Sequence, residues 1–125
     1  MLVQCKKETV PAVTITDNNF LNALIEQGVD KNDDGIISTA EADLVHFLDV
    51  SYRNISDLKG IEAFINLDSL FCTYNLLTSL DVSYNTALIW FECHGNLLTS
   101  LDVSNNAALV YLYCTYMPSL SKVCV

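Results

Sequence analysis

The stretch "LDSLFCTYNLLTSLDVSYNTA", from Leu67, returns immediately as "LIWFECHGNLLTSLDVSNNAA", from Leu88. Its opening returns once more as "LVYLYCTYMPS", from Leu109, so that Cys72, Cys93 and Cys114 occupy one position of a repeat. Upstream, "VHFLDVSYRNISDLKGIEAFIN", from Val45, fits the same frame with a single residue more, placing Leu48 on Leu70, Val50 on Cys72 and Ile55 on Leu77. No unit of this size can bury its own apolar face. A chain with this period folds by stacking each unit on its neighbour.

Within a unit, Leu-x-Cys alternates as a short strand does. One strand per unit, stacked, makes a parallel sheet with about 4.8 Å between strands. The second half of each unit must carry the chain back along the other side, where Leu80 and Val82, then Leu101 and Val103, close the core. The terminal "LSKVCV" matches the opening of one more unit, with Leu120, Val123 and Val125 inward. The expected fold class is α/β: a short solenoid whose concave face is a parallel sheet of about five short strands.

Asn75 and Asn96 follow the strand, where the chain turns, and their amides can satisfy loop groups that would otherwise be buried and unpaired. Arg53 and Met117 stand at that position in the units that begin at Val45 and Leu109. The three aligned cysteines are expected to be small buried hydrophobes. A metal or redox role fits less well, because ladder positions lack the clustered spacing of metal sites. Cys124 falls one residue off the inward set and should face outward as a reactive thiol. The terminal "KVCV" offers an unpaired edge that invites dimerisation.

The units resemble the leucine-rich repeat family, pattern LxxLxLxxNxL, with Cys in place of the third Leu. The first unit is similar to the internalin-type subclass, and the "LTSLDVSxN" halves are similar to secreted and surface proteins of gut Bacteroidetes. The resemblance spans Val45 to Val125. It implies a noncatalytic module, extracytoplasmic (secreted or on a bacterial cell surface), that binds a protein partner through the concave face. A glycan-binding module and a ligand-free spacer are the alternatives.

A different pattern precedes the repeats. "DKNDDGIISTAE", Asp30 to Glu41, places oxygen-bearing side chains at alternate positions before a glycine. It resembles the EF-hand loop D-x-[DN]-x-[DN]-G-x5-E. That resemblance implies a calcium site built from Asp30, Asn32, Asp34, the Ile36 carbonyl, Ser38 and Glu41, with Gly35 at the sharp bend. Ser38-x-x-Glu41 is also a capping box, and an acidic turn with a cap needs no metal. "DNNFLNALIEQG" reads as a helix before the loop, with an Asp17 or Asn18 cap and a terminating Gly28, and "STAEADLVHFL" as a helix beginning at Ser38. No second loop of this kind occurs, so the expected role is a helical cap over the first repeat, rigidified by calcium, rather than a switch. Residues 1–16 are expected to be a flexible tail, 17–47 the cap and 45–125 the repeats. Cys5, after Leu-Val-Gln and before Lys-Lys-Glu, faintly resembles a lipoprotein processing site, which makes it a candidate lipid anchor.

The net charge is −9, from six Lys and Arg against fifteen Asp and Glu. That argues against nucleic acid and anionic membrane as partners. No apolar run reaches the ~20 residues of a membrane-spanning helix. Counting outward from the buried positions places Phe47, Ser69, Trp90 and Tyr111 in one exposed row, Asp49, Phe71, Glu92 and Tyr113 in the next, and Ser51, Thr73, His94 and Thr115 in a third. Lys122 and Cys124 would extend the first two rows. Phe71, Trp90, Glu92, His94, Tyr111 and Tyr113 are the candidate partner-binding residues, since contiguous exposed aromatic surface tends to mark an interface. Cys93 and His94 are adjacent, so they point to opposite faces of a strand and cannot form a nucleophile–base pair. No residue set is a candidate catalytic site.

Overall fold

The computed structural model describes residues 11–125. Cys5, the candidate lipid anchor, lies outside the described residues. The alternating segment of each unit forms a short strand: β1 (Phe47–Asp49), β2 (Ser69–Phe71), β3 (Trp90–Glu92) and, in the fourth unit, β5 (Tyr111–Tyr113). They pair in parallel in the order β1-β2-β3-β5. The register follows the repeat, with Leu48, Leu70, Phe91 and Leu112 as successive partners. Pairing continues past the strands, where the N–H groups of Val50, Cys72 and Cys93 donate to the carbonyls of Phe71, Glu92 and Tyr113. Leu48, Leu70, Phe91, Cys72 and Cys93 are fully buried, and Val82, Leu101 and Val103 close the core from the return side.

Four strands form the concave sheet, one fewer than the sequence predicts. The terminal segment is β6 (Lys122–Cys124), and it pairs instead with β4 (Ser100–Asp102) on the return side. Val123 lies opposite Leu101, and the step between them is one residue longer than the step from Leu67 to Leu88. The extra residue, beside Pro118, is absorbed in the turn. The terminal "LSKVCV" therefore completes the fourth unit and does not open another. Lys122 and Cys124 leave the concave rows for the same reason. Cys114 is half-buried, at the last strand of the concave sheet.

Buried carboxamides tie unit to unit. Asn75 Nδ2 donates to the carbonyls of Val50 in the preceding unit (2.9 Å) and Cys72 in its own (3.1 Å), and its Oδ1 accepts from the N–H groups of Arg53 and Ile55. Asn96 repeats the pattern with the carbonyls of Cys72 and Cys93 and the N–H of Leu77. A second ladder runs along the return side. Asn85 Nδ2 reaches the carbonyls of Ile61 and Phe64, and Asn106 Nδ2 those of Val82 and Asn85. These donations fix which way each amide points, and they leave Asn85 Oδ1 and Asn106 Oδ1 buried without a partner.

The N-terminal helical segment lies against the first unit. Helix α1 (Asn18–Glu26) begins at Asp17, whose Oδ1 accepts from the N–H groups of Asn19 and Phe20. Its other oxygen accepts from the N–H groups of Ser56 and Asp57, so one carboxylate both starts the helix and anchors it to the first repeat. Phe20, Ala23 and Leu24 enter the core. The Gln27 side chain pairs with the backbone of Asp49, giving partners to an otherwise open edge of β1. The second helix is shorter than the sequence predicts. Helix α2 runs Thr39–Asp43 and stops at Leu44, because His46 to Asp49 is drawn into pairing with β2. Residues 11–16, placed in the tail by the sequence, lie along this segment. Val13 N–H donates to Ile37 and Thr39 N–H to Pro11, and Val13 and Ile15 pack against the core. Among the described residues no helix is long and apolar enough to cross a membrane.

Replacing Asn96 by Ala strands the Cys93 carbonyl and the Leu77 N–H in the interior and takes one of the two donors from the Cys72 carbonyl. We expect Asn96→Ala to destabilise the fold by about 1–3 kcal/mol in a denaturant titration, the cost of leaving buried groups unpaired. An unchanged midpoint would mean that the ladder does not hold the stack.

Candidate functional site

Strand alternation sends one set of side chains inward and the other onto the concave face. Register then aligns the outward set. Phe47, Ser69, Trp90 and Tyr111 form one row, and Asp49, Phe71, Glu92 and Tyr113 the next, as the sequence predicts. The rings touch across strands: Phe47 to Phe71 at 5.3 Å, Phe71 to Trp90 at 5.5 Å and Trp90 to Tyr111 at 5.3 Å between centroids. Such spacings suit edge-to-face and tilted aromatic pairs. Trp90 is 39% exposed and Tyr111 49%, so the rings stack on one another and still face solvent.

The third row departs from expectation at Thr73. It is buried, and its N–H donates to the hydroxyl of Ser51. His94 is half-buried. It lies 3.9 Å from Glu92 through Nε2 and 3.4 Å from the Thr115 hydroxyl through Nδ1, and its ring meets Tyr113 edge-on. Trp90 Nε1–H donates to Glu92 Oε1 at 2.8 Å. All six candidate binding residues are therefore on one surface, centred on Trp90, Glu92 and His94.

Sequence reasoning missed the rim of this face. Tyr52, Tyr74, Gly95 and Tyr116 share one position of the repeat, and all four have left-handed backbone (φ 59°, 51°, 69° and 52°). The rings of Tyr52 and Tyr74 stack at 5.0 Å. A Cβ on Gly95 would sit 2.4 Å from the Tyr74 ring, so this glycine lets that ring lean across the next unit. A bulky residue in this conformation costs about 1–2 kcal/mol, where Gly costs nothing. The repeat alignment already held the signal, since Tyr52, Tyr74 and Gly95 are spaced as Leu48, Leu70 and Phe91 are.

Cys72 and Cys93 are buried, as expected of core hydrophobes. Burial pushes the Cys93 thiol up to about 12, with a smaller push from Cys114 beside it, and raises Cys72 well above the usual range. Neither is a nucleophile at neutral pH. Cys124, paired with Asp102 on the return side, is half-buried and does not point fully outward.

In the acidic loop, Asp30 Oδ2 accepts from the N–H of Gly35 (2.8 Å) and Asp34 Oδ1 from that of Ile36 (2.9 Å). Glu41 accepts from the N–H of Lys31 at one oxygen, and from the N–H and hydroxyl of Ser38 at the other. The Ser38 N–H is the main reason that the Glu41 carboxyl sits below its ordinary range; burial works against it, and Lys31 and the Ser38 hydroxyl add to it. Gly35 takes the left-handed bend (φ 78°). Asp30 and Glu41 are both buried. The donors are all oxygens, which suits a hard cation. Among the described residues, however, no three His, Cys, Asp or Glu side chains stand close enough together to hold a metal ion. Glu41 at the same time caps α2; an ionised carboxylate has about four acceptor sites, so its bonds to Lys31 and Ser38 do not use all of them.

No protein-family model and no curated protein matches this chain. Solved structures do. The functional domain of InlJ from Listeria monocytogenes, described as including a cysteine ladder, is 30% identical at a TM-score of 0.73, over 91% of this chain and 29% of that one. The internalin InlF of the same organism is 17% identical at 0.74, over 93% of this chain and 39% of that one. The CBM51-2 and INT domains of ZmpB from Clostridium perfringens are 23% identical at 0.62, over 78% of this chain and 21% of that one. The chain thus spans well under half the length of each. With the register described above, these likenesses establish an internalin-like leucine-rich repeat fold.

Proposed function

We propose that the chain is a noncatalytic protein-interaction module that binds through the concave face, as part of a secreted or cell-surface bacterial protein. One observation carries this reading. The outward strand positions, where a solenoid needs only solubility, hold a continuous aromatic surface from Phe47 to Tyr111. Large exposed aromatics are enriched at the centres of protein interfaces. The likeness to internalins supports the same reading. A glycan ligand is the second reading, because sugar rings also stack on Trp and Tyr. One structure of the ZmpB domains is a complex with GlcNAc.

The two readings separate when the chain is applied to a protein array and a glycan array beside its Trp90→Ala/Tyr111→Ala variant. We expect protein targets that the wild type retains and the variant loses, with unchanged unfolding temperature. Glycan-only binding would select the second reading. Binding that survives in the variant would place the site off the concave face.

We also infer that the Asp30–Glu41 loop takes up calcium as a structural ion, stiffening a helical cap over the first repeat. The spacing of its oxygen donors and the burial of Asp30 and Glu41 support this. A ligand present at 100 times its dissociation constant stabilises by about 2.7 kcal/mol. The unfolding temperature should therefore rise in millimolar calcium relative to chelator, and Glu41→Gln should abolish the difference. Equal temperatures for the wild type would leave the loop as a capped acidic turn.

A further inference from the structure

We propose that the centre of the concave face receives an arginine side chain of the partner protein; the proposal rests on the concave-face reading above. Glu92 is the focus. Its neighbours along the strand are Trp90 and His94, and its partners on the flanking strands are Phe71 and Tyr113. A carboxylate is thus boxed on four sides by rings, and its side chain is only 24% exposed. The indole N–H of Trp90 holds Oε1 at 2.8 Å, which fixes the carboxylate before anything binds. Oε2 has His94 at 3.9 Å, beyond hydrogen-bond distance.

Two physical arguments favour a guanidinium as the occupant. Ring faces attract cations, and more strongly as water is excluded. A guanidinium is planar, so it can lie against a ring while two of its N–H groups meet a carboxylate. Charge complementarity agrees. Asp49 stands two strands from Glu92, about 10 Å away at the usual strand spacing, and no Lys or Arg occupies an outward position of the four concave strands. The described cations lie elsewhere: Lys31 in the acidic loop, Arg53 on Glu26, Lys59 in the return of the first unit and Lys122 on β6. Among the described residues the face therefore has two carboxylates, aromatic walls and no Lys or Arg counter-ion; the one group on it that can carry positive charge is His94, 3.9 Å from Glu92 Oε2.

Trp90 is the sole tryptophan, so its emission reports on this spot directly. The probe is a short peptide of alternating Gly and Arg, titrated at constant ionic strength. The comparison peptides replace Arg by citrulline, which keeps the shape and loses the charge, and by Lys. We expect a saturable change in Trp90 emission with the Arg peptide, at least about tenfold weaker with citrulline, and intermediate with Lys. Glu92→Gln should weaken the Arg peptide at least about tenfold, while Asp43→Asn, an equal change of net charge on exposed surface away from the face, should leave it unchanged. Citrulline binding as tightly as Arg, or an equal effect of the two substitutions, would overturn the proposal. So would a GlcNAc oligomer that alters Trp90 emission while the Arg peptide does not. The peptide results leave the concave-face reading to the Trp90→Ala/Tyr111→Ala comparison, and the GlcNAc result would favour the glycan reading of the same face.

Discussion

A buried carboxamide that reaches back from one unit to the backbone of the unit before it is the interaction on which this molecule depends. Asn75 and Asn96 each join the carbonyls of two successive units, and on the return side Asn85 and Asn106 each hold two carbonyls of the preceding unit. Every turn of a solenoid carries backbone groups inward that no strand or helix pairs. Each would cost roughly 1–3 kcal/mol if left unmade. The two ladders discharge that cost on both sides of the core and make each unit's turn conditional on its neighbour. Asn85 Oδ1 and Asn106 Oδ1 remain unpaired, so the return-side ladder holds with less complete satisfaction than the other.

Constant register has a consequence for the surface. Because each unit repeats the last in pitch and phase, any side chain at an outward position becomes a member of a row. The sequence varies those positions between units, and the result is a surface written across strands: rings from Phe47 to Tyr111, with the carboxylate of Glu92 set among them. The interior repeats and the concave face does not. That division lets one fold carry many specificities, so function must be argued from the side chains and not from the solenoid.

Much of this was legible in the sequence because a short, constant period leaves little freedom. From Leu48 to Cys93 the inward positions, the first two outward rows and the Asn75–Asn96 ladder follow from alternation and alignment alone, whereas Thr73 is buried and Val123 and Val125 are exposed against expectation. What was misread lay where local and long-range demands compete. "LSKVCV" carries the apolar spacing of an opening strand, yet the turn beside Pro118 absorbs a residue and sends it to pair with β4. "STAEADLVHFL" reads as one helix, but strand pairing takes its second half. Asn85 and Asn106 recur as plainly as Asn75 and Asn96, but sit among "SYNTA" and "SNNAA", where a polar residue reads as ordinary loop. In the acidic loop, Ser38 and Glu41 satisfy a cap and a calcium pattern with the same atoms, so spacing alone does not separate the two.

Residue-resolved native-state hydrogen exchange tests the central claim, that the units stand or fall together. The amides to follow are those of Val50, Cys72 and Cys93, which pair with the carbonyls of Phe71, Glu92 and Tyr113 in the succeeding units. Cooperative stacking predicts that Val50 and Cys72 open with one free energy, equal to that of global unfolding, because neither unit can keep its core when the other is lost. Separate, smaller opening energies for the two would contradict it: the repeats would then be independent beads, and the concave rows a surface present only part of the time.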